Sequence, residues 1–249
     1  MAKQVIPLNE LPVVSKTTLS KFKAETFTSG AALLMDKPLE WSSFDVVRFV
    51  RNRIPPKKTG HAGTLDPLAT GLLILCTGGA TRTISQIQAG KKEYITTIRF
   101  GESTPSYDAA LPPDGVAEYK HITPDRIKEV IEQQFTGTIT QLPPIYSAIR
   151  VRGERLYKKA RRGEKIELPP RQITVHSIDV LEENLPDLKL KITCGKGTYI
   201  RSIAHDLGKS LDSLAHITSL RRTRIGGFDV EDACTPDEFD NLINQQSDE

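Results

Sequence analysis

The sequence predicts an α+β protein with a mostly antiparallel mixed sheet flanked by helices, and three stretches carry that prediction. Leu188, Leu190, Ile192 and Cys194 alternate with Lys189, Lys191 and Thr193, the period-two pattern of a strand with one face buried and the other wet. Tyr94 to Phe100 alternates in the same way. Ile127, Val130, Ile131 and Phe135 instead form one helical stripe, opened by Thr123 as a cap and Pro124 at the first helical position. The order in which the remaining strand and helix signals follow one another fits the same class.

Taken along the chain, residues 1–29 lack strong periodicity and read as a loosely packed arm. Ala31 to Met35 reads as a short buried strand stopped at Lys37-Pro38. Ser42 or Ser43 caps a helix with Phe44, Val47 and Val50 on its inner face, ended by Pro55-Pro56. Leu72 to Cys76 is a second buried strand, and Gly78-Gly79 turns the chain into a helix from about Ala80 to Ala89. Prolines at Pro143-Pro144 and Pro169-Pro170 bracket an inserted, loop-rich segment. Strand signals resume at Ile173 to Val180. Ile200, Ile203, Leu207 and Leu211 have helical spacing, and Thr235-Pro236-Asp237-Glu238 is a capping box for a short last helix.

Composition narrows the function classes. With 249 residues, 38% of them hydrophobic, there is material for one large globular domain or one and a half. Cys76, Cys194 and Cys234 lie far apart, which suggests neither a disulfide framework nor a zinc knuckle and points to a reducing, cytoplasmic setting. The N-terminus MAKQVIPLNE lacks a signal-peptide pattern, and AALLM and GLLILC are too short to cross a bilayer, so no membrane partner is expected. The net charge of +3 is unevenly spread. Between Ile149 and Gln172, nine cations (Arg150, Arg152, Arg155, Lys158, Lys159, Arg161, Arg162, Lys165 and Arg171) face three acids, a local +6 that leaves −3 for the remainder. Such a patch suits a nucleic-acid backbone, although a solvated helix face has the same composition.

The chemistry-bearing candidates each have a plainer reading beside them. In GHAGTLDPLATGLL, Asp66 before Pro67 fits a helix N-cap. However, Gly60 to Thr64 form a small, permissive loop open to a large ligand, and Gly71 leaves little helix to cap. His61 on that loop is a base, a stacking group or an idle surface histidine; the other four histidines show no metal-ligand spacing with it. Tyr94 and Tyr199, each beside lysine at a strand edge, either stack a base or fill the core. Arg201 lies off the apolar stripe of its helix and suits a buried carboxylate.

Five blocks in order, LLMDKP, GHAGTLDPLATGLL, KKEYITTIRFG, QLPPIYSAIRVRGERLYKKARRG and CGKGTYIRSIAHDLG, resemble the motifs of the TruB family of tRNA pseudouridine synthases across residues 30–228. The resemblance implies a pseudouridine synthase fold that converts the T-loop uridine at tRNA position 55 to pseudouridine, with no cofactor and no metal. It implies Asp66 as the catalytic aspartate, Tyr94 stacked on the target base and relaying its C5 proton, and Arg201 paired with Asp66. His61, Tyr199, Leu220 and Lys37 would contact the substrate. The segment from about 142 to 171 would be an RNA-clamping thumb, with Arg150, Arg152, Arg155, Lys158, Lys159, Arg161 and Arg162 on the RNA backbone. The expected layout is an arm over 1–29 and a catalytic domain over 30–249 ending in a short helix near 235–245, without the C-terminal PUA-like domain of many relatives. The expected partner is the tRNA T-arm, bound by a monomer. The competing expectation is a tRNA-binding or tRNA-folding module whose catalysis is secondary. GESTPSYDAALPPDG departs from the family's threonine-rich version and carries no assigned role.

Overall fold

A computed structural model describes residues 5–55, 58–147, 150–151, 154–155, 162 and 169–247. In chain order its elements are β1 (Val13–Val14), α1 (Ala24–Ser29), β2 (Ala32–Lys37), α2 (Ser43–Arg51), β3 (Thr59–His61), β4 (Ala69–Thr77), α3 (Ile84–Ala89) and β5 (Lys92–Phe100). They continue with β6 (Glu102–Ser103), β7 (Gly115–Val116), α4 (Pro124–Gln134), β8 (Gly137–Gln141), β9 (Arg150–Val151), β10 (Glu154–Arg155), β11 (Arg171–Asn184) and β12 (Asp187–Cys194). The last are α5 (Ile200–Ser210), β13 (Ala215–Ile225), β14 (Phe228–Asp229) and α6 (Pro236–Ser247). The chain divides into two compact units, Met1–Tyr94 with Arg221–Glu249, and Ile95–Leu220.

In the first unit, β2 and β4 pair antiparallel, with Leu34 opposite Ile74 and Lys37 opposite Gly71. β3 pairs antiparallel with β4, and β1 runs parallel to β2. Both faces of this sheet are covered, which is why its strands read as continuous apolar runs rather than alternating ones. Leu33, Met35, Leu73 and Leu75 pack with Val14, Leu19, Phe27 and Phe239 on one face; Ala32, Leu34, Leu72 and Ile74 pack with Leu11, Ile87 and Ile225 on the other. Val14, Leu19 and Phe27 lie in the supposed loose arm, so that reading is corrected: irregular spacing hid a segment that closes the core.

Ser42 caps α2 through a capping box, its hydroxyl accepting from Asp45 N–H at 3.1 Å while the Asp45 carboxylate accepts from Ser42 N–H at 2.9 Å. The buried stripe is Val46, Val47 and Val50; Phe44, expected inside, is 60% exposed. α2 stops at Arg51, before the prolines. The helix expected over Ala80–Ala89 begins as a 3-10 turn, Gly78–Arg82, before α3. The Thr235 capping box is present at α6, where Thr235 N–H donates to Glu238 Oε2 at 2.8 Å.

In the second unit, β8, β11 and β12 form an antiparallel run, and β12 buries Leu188, Leu190, Ile192 and Cys194 as its alternation predicts. α4 buries Ile127, Val130 and Ile131, with the Thr123 hydroxyl accepting from Arg126 N–H. β13 was not legible as a strand, because Arg221-Arg222-Thr223-Arg224 reads as surface although Arg222 is buried. Most of the 142–171 thumb expectation lies outside the described residues; within it, β9 and β10 pair antiparallel.

Candidate active site

Asp66 caps no helix. Its carbonyl accepts from Ala69 N–H at 3.0 Å, closing a tight turn, and β4 starts at once. Asp66 is half-buried on that turn. The loop that carries it is fixed from three directions within the first unit. Ser43, in the first turn of α2, clasps Leu65 with one hydroxyl, accepting from its N–H at 2.8 Å and donating to its carbonyl at 3.0 Å. Arg222, 2% exposed, donates to the carbonyls of Leu72 at 2.8 Å and Gly63 at 3.1 Å. Ala62 N–H reaches the Ile74 carbonyl at 2.8 Å.

Lys37 supplies a further support. Expected at the substrate, its side chain has no exposed surface here, and Nζ donates to the carbonyls of Pro38 (2.8 Å), Trp41 (2.6 Å) and Pro67 (3.2 Å). It ties the Asp66–Pro67 turn to the segment before α2, and Glu40 N–H adds a bond to the same Pro67 carbonyl. Burial pulls the Lys37 ammonium down to about 8, opposed chiefly by the negative charges of Asp66 and Asp45. His61 lies at the loop entrance, half-buried, its pKa lowered by burial against the effect of a bond to the Gly63 backbone, so the ring is neutral at neutral pH. Tyr94 is buried, 9% exposed, on the inward face of β5.

In the second unit, Arg201 sits in the first turn of α5, only 3% exposed. It donates to the carbonyls of Ser106 (2.8 Å) and Tyr146 (2.9 Å), and its Nε is 3.7 Å from the Asp108 carboxylate. Asp108 is thus a buried carboxylate beside Arg201 that the sequence reading did not name. Ser106 Oγ and Ala110 N–H hold that carboxylate at 2.6 and 3.0 Å. Tyr199 precedes α5, its backbone paired twice with the Gln141 side chain at 2.9 Å, and Arg171 lies 4.5 Å over its ring. Leu220 is half-buried in β13. Of the thumb cations, Arg150 and Arg155 are opposite each other in β9 and β10, and Arg162 is exposed in a turn. Arg152, Lys158, Lys159 and Arg161 lie outside the described residues.

Residues 51–200 match the family model for the N-terminal domain of TruB family pseudouridylate synthases, and residues 201–249 match that for the C-terminal domain of tRNA pseudouridylate synthase B. The chain belongs to the TruB family. A tRNA pseudouridine synthase B from Parabacteroides distasonis is 45% identical over 88% of this chain and 95% of its own length. One of the same description from Flavobacterium johnsoniae is 48% identical over 84% of this chain and 94% of its own. Among solved structures, an H/ACA RNP bound to a substrate RNA containing 2′-deoxyuridine aligns at a TM-score of 0.67 and 26% identity, over 94% of this chain and 59% of that one. A Cbf5–Nop10–Gar1 complex aligns at 0.66 and 28% identity, over 89% and 56%. This chain thus spans somewhat over half of those structural relatives. The pseudouridine synthase fold expected from the sequence is the fold observed.

For this TruB family member, sequence reasoning missed Arg222, Ser43 and Asp108. Each is a polar side chain whose partner is backbone or lies far along the chain, and neither spacing nor hydropathy marks such a residue. Asp108 had one available signal: its place in GESTPSYDAALPPDG, the segment that departs from the family pattern.

Proposed function

We propose that this chain isomerises uridine at position 55 in the T-loop of tRNA to pseudouridine, with Asp66 as the reacting carboxylate. The observation that carries the reading is a half-buried aspartate on a tight turn that caps no helix, while Ser43, Lys37 and Arg222 hold the loop around it. Family membership and the relatives described as tRNA pseudouridine synthase B support the reaction class.

The isomerisation breaks the bond from ribose C1′ to uracil N1, turns the base, forms the bond from C1′ to C5, and moves a proton from C5 to N1. An ionised carboxylate serves by adding to C1′ or by removing a ribose proton. In this reading Arg201 is the cation that keeps Asp66 ionised. Tyr94 stacks on the target base and relays the C5 proton. His61, neutral through burial, enters beside the flipped nucleotides, and Tyr199 and Leu220 line the uridine pocket. Extruding the base costs a few kcal/mol, and each aromatic stack returns about 1–3 kcal/mol. The basic thumb meets the T-arm backbone, and the protein works as a cytoplasmic monomer.

The test is tritium release from tRNA carrying 5-tritiated uridine, comparing wild type with Asp66→Asn while measuring T-arm hairpin binding by both. Release by wild type alone, with binding retained, is expected. Equal release would remove Asp66 from the chemistry, and binding without release by either would make the chain an RNA-binding module.

A further inference from the structure

The loop from Thr104 to Asp108 grips Arg201 through two of its residues, the Ser106 carbonyl and the Asp108 carboxylate. Tyr107 stands between them in the left-handed region, at φ +62°, a conformation that a bulky residue keeps only where its surroundings hold it. Those surroundings include a flat aromatic contact. The Tyr107 ring lies on the His205 imidazole with centroids 3.8 Å apart and planes 12° from parallel. His205 is four residues beyond Arg201 on α5, one helical turn along the same side. The backbone agrees with this clamp: Tyr107 N–H donates to Thr104 O, and its carbonyl accepts from Ile217 N–H, both at 3.1 Å.

The imidazole is suited to stacking rather than to charge. Its Nδ1 is buried with no hydrogen-bond partner among the described residues, and burial lowers its pKa to about 4, with Lys209 adding to the effect and Asp114 opposing it. A neutral imidazole lying flat on a phenol ring makes a stacked aromatic pair. Loop and helix are thereby joined twice on one side of α5, once through the guanidinium and once, a turn later, through the rings.

We propose that the Tyr107–His205 stack is a positioning device: it pins the Thr104–Asp108 loop to α5 and so sets the orientation of the Arg201 guanidinium for the isomerisation. The proposal rests on the role given to Arg201 under the proposed function. Tyr107 and His205 act through Arg201 and touch neither base nor ribose.

The experiment is single-turnover pseudouridine formation in a T-arm hairpin by the full chain, with hairpin binding measured alongside. Tyr107→Asn keeps a residue that tolerates φ near +60° but removes the ring; we expect a rate about tenfold lower, with hairpin affinity within about threefold. Tyr107→Phe and His205→Phe keep a flat stack and should stay within about twofold of wild type. His205→Ala should match Tyr107→Asn, and the two combined should be no slower than the slower single variant, because both remove the same stack. A wild-type rate in Tyr107→Asn, a slow but folded Tyr107→Phe, or multiplied losses in the double variant would overturn the proposal. An inactive wild type would instead overturn the reading of function. In that case the Arg201 Nε–H signal in 15N NMR still tests positioning: a single slowly exchanging line in wild type, broadened or lost in Tyr107→Asn, is expected, and an unchanged line refutes it.

Discussion

Lys37 shows how one buried residue can hold a loop in place. Its ammonium has no exposed surface and lies on three carbonyls, one of them that of Pro67 in the Asp66 turn. In Lys37→Met the carbonyls of Pro38 and Trp41 lose this donor, while Pro67 keeps the Glu40 N–H. Two partly buried acceptors that lose their donor cost about 2 kcal/mol together, so the variant should unfold at lower urea concentration. The pH dependence has a definite sign. Burial lowers the folded-state pKa from 10.5 to about 8, so between those values the unfolded chain holds a proton that the folded chain has released. Stability from this residue therefore rises with pH through that window, and the cost of burying the charge is fully present below pH 8. Urea unfolding at pH 8 and pH 10 should show wild type gaining on Lys37→Met; a constant difference would mean that the ammonium is not buried as charged.

At the scale of elements, β4 decides what Asp66 is. The strand begins three residues after the aspartate, and Gly71 lets it do so, at φ +99° and packed so closely that a Cβ would sit 2.3 Å from the Arg222 carbonyl oxygen and 2.8 Å from its nitrogen. Neither backbone atom can yield without moving β4 or the strand segment that carries Arg222. Gly71→Ala should therefore cost about 3 kcal/mol or more and lower activity with it, read by thermal unfolding and turnover together. The sequence made Gly71 legible as something that forbids a helix, but not as a glycine inside a strand, because the close approach comes from a residue 151 positions away. The same division holds elsewhere. β12, α4 and α5 were legible because hydropathy alone sets their faces. Val14 and Phe27 were not, since a short apolar segment shows no period until its partner strand is known. Asp66, Tyr94 and Arg201 were proposed from ordered motifs; Asp108 and Arg222 were not, because what marks them is burial and partners distant in the chain.

For the whole molecule, the proposed function assigns binding and chemistry to regions of different charge. The chain carries +3 overall, yet the segment from Ile149 to Gln172 alone holds nine cations against three acids. Asp66 and its supports Ser43, Lys37 and Arg222 are instead buried or half-buried within the first unit, on a loop tied by backbone hydrogen bonds. Long-range attraction to phosphate falls with ionic strength, whereas interactions shielded from solvent are screened far less. Replacing Lys158, Lys159, Arg161 and Arg162 together with Gln should therefore weaken T-arm binding and flatten its dependence on salt, leaving the single-turnover rate at saturating RNA near that of wild type. Each phosphate that is no longer neutralised takes roughly 0.7–0.9 off the slope of log affinity against log salt, so removing four such cations reduces it by about 3. Hairpin binding from about 50 to 200 mM salt measures this directly. An unchanged slope would mean that those cations do not meet RNA. A slope reduced as expected, joined to a greatly slowed rate at saturation, would mean that the segment also shapes the reaction, and the proposed division between a charged clamp and a fixed site would fall.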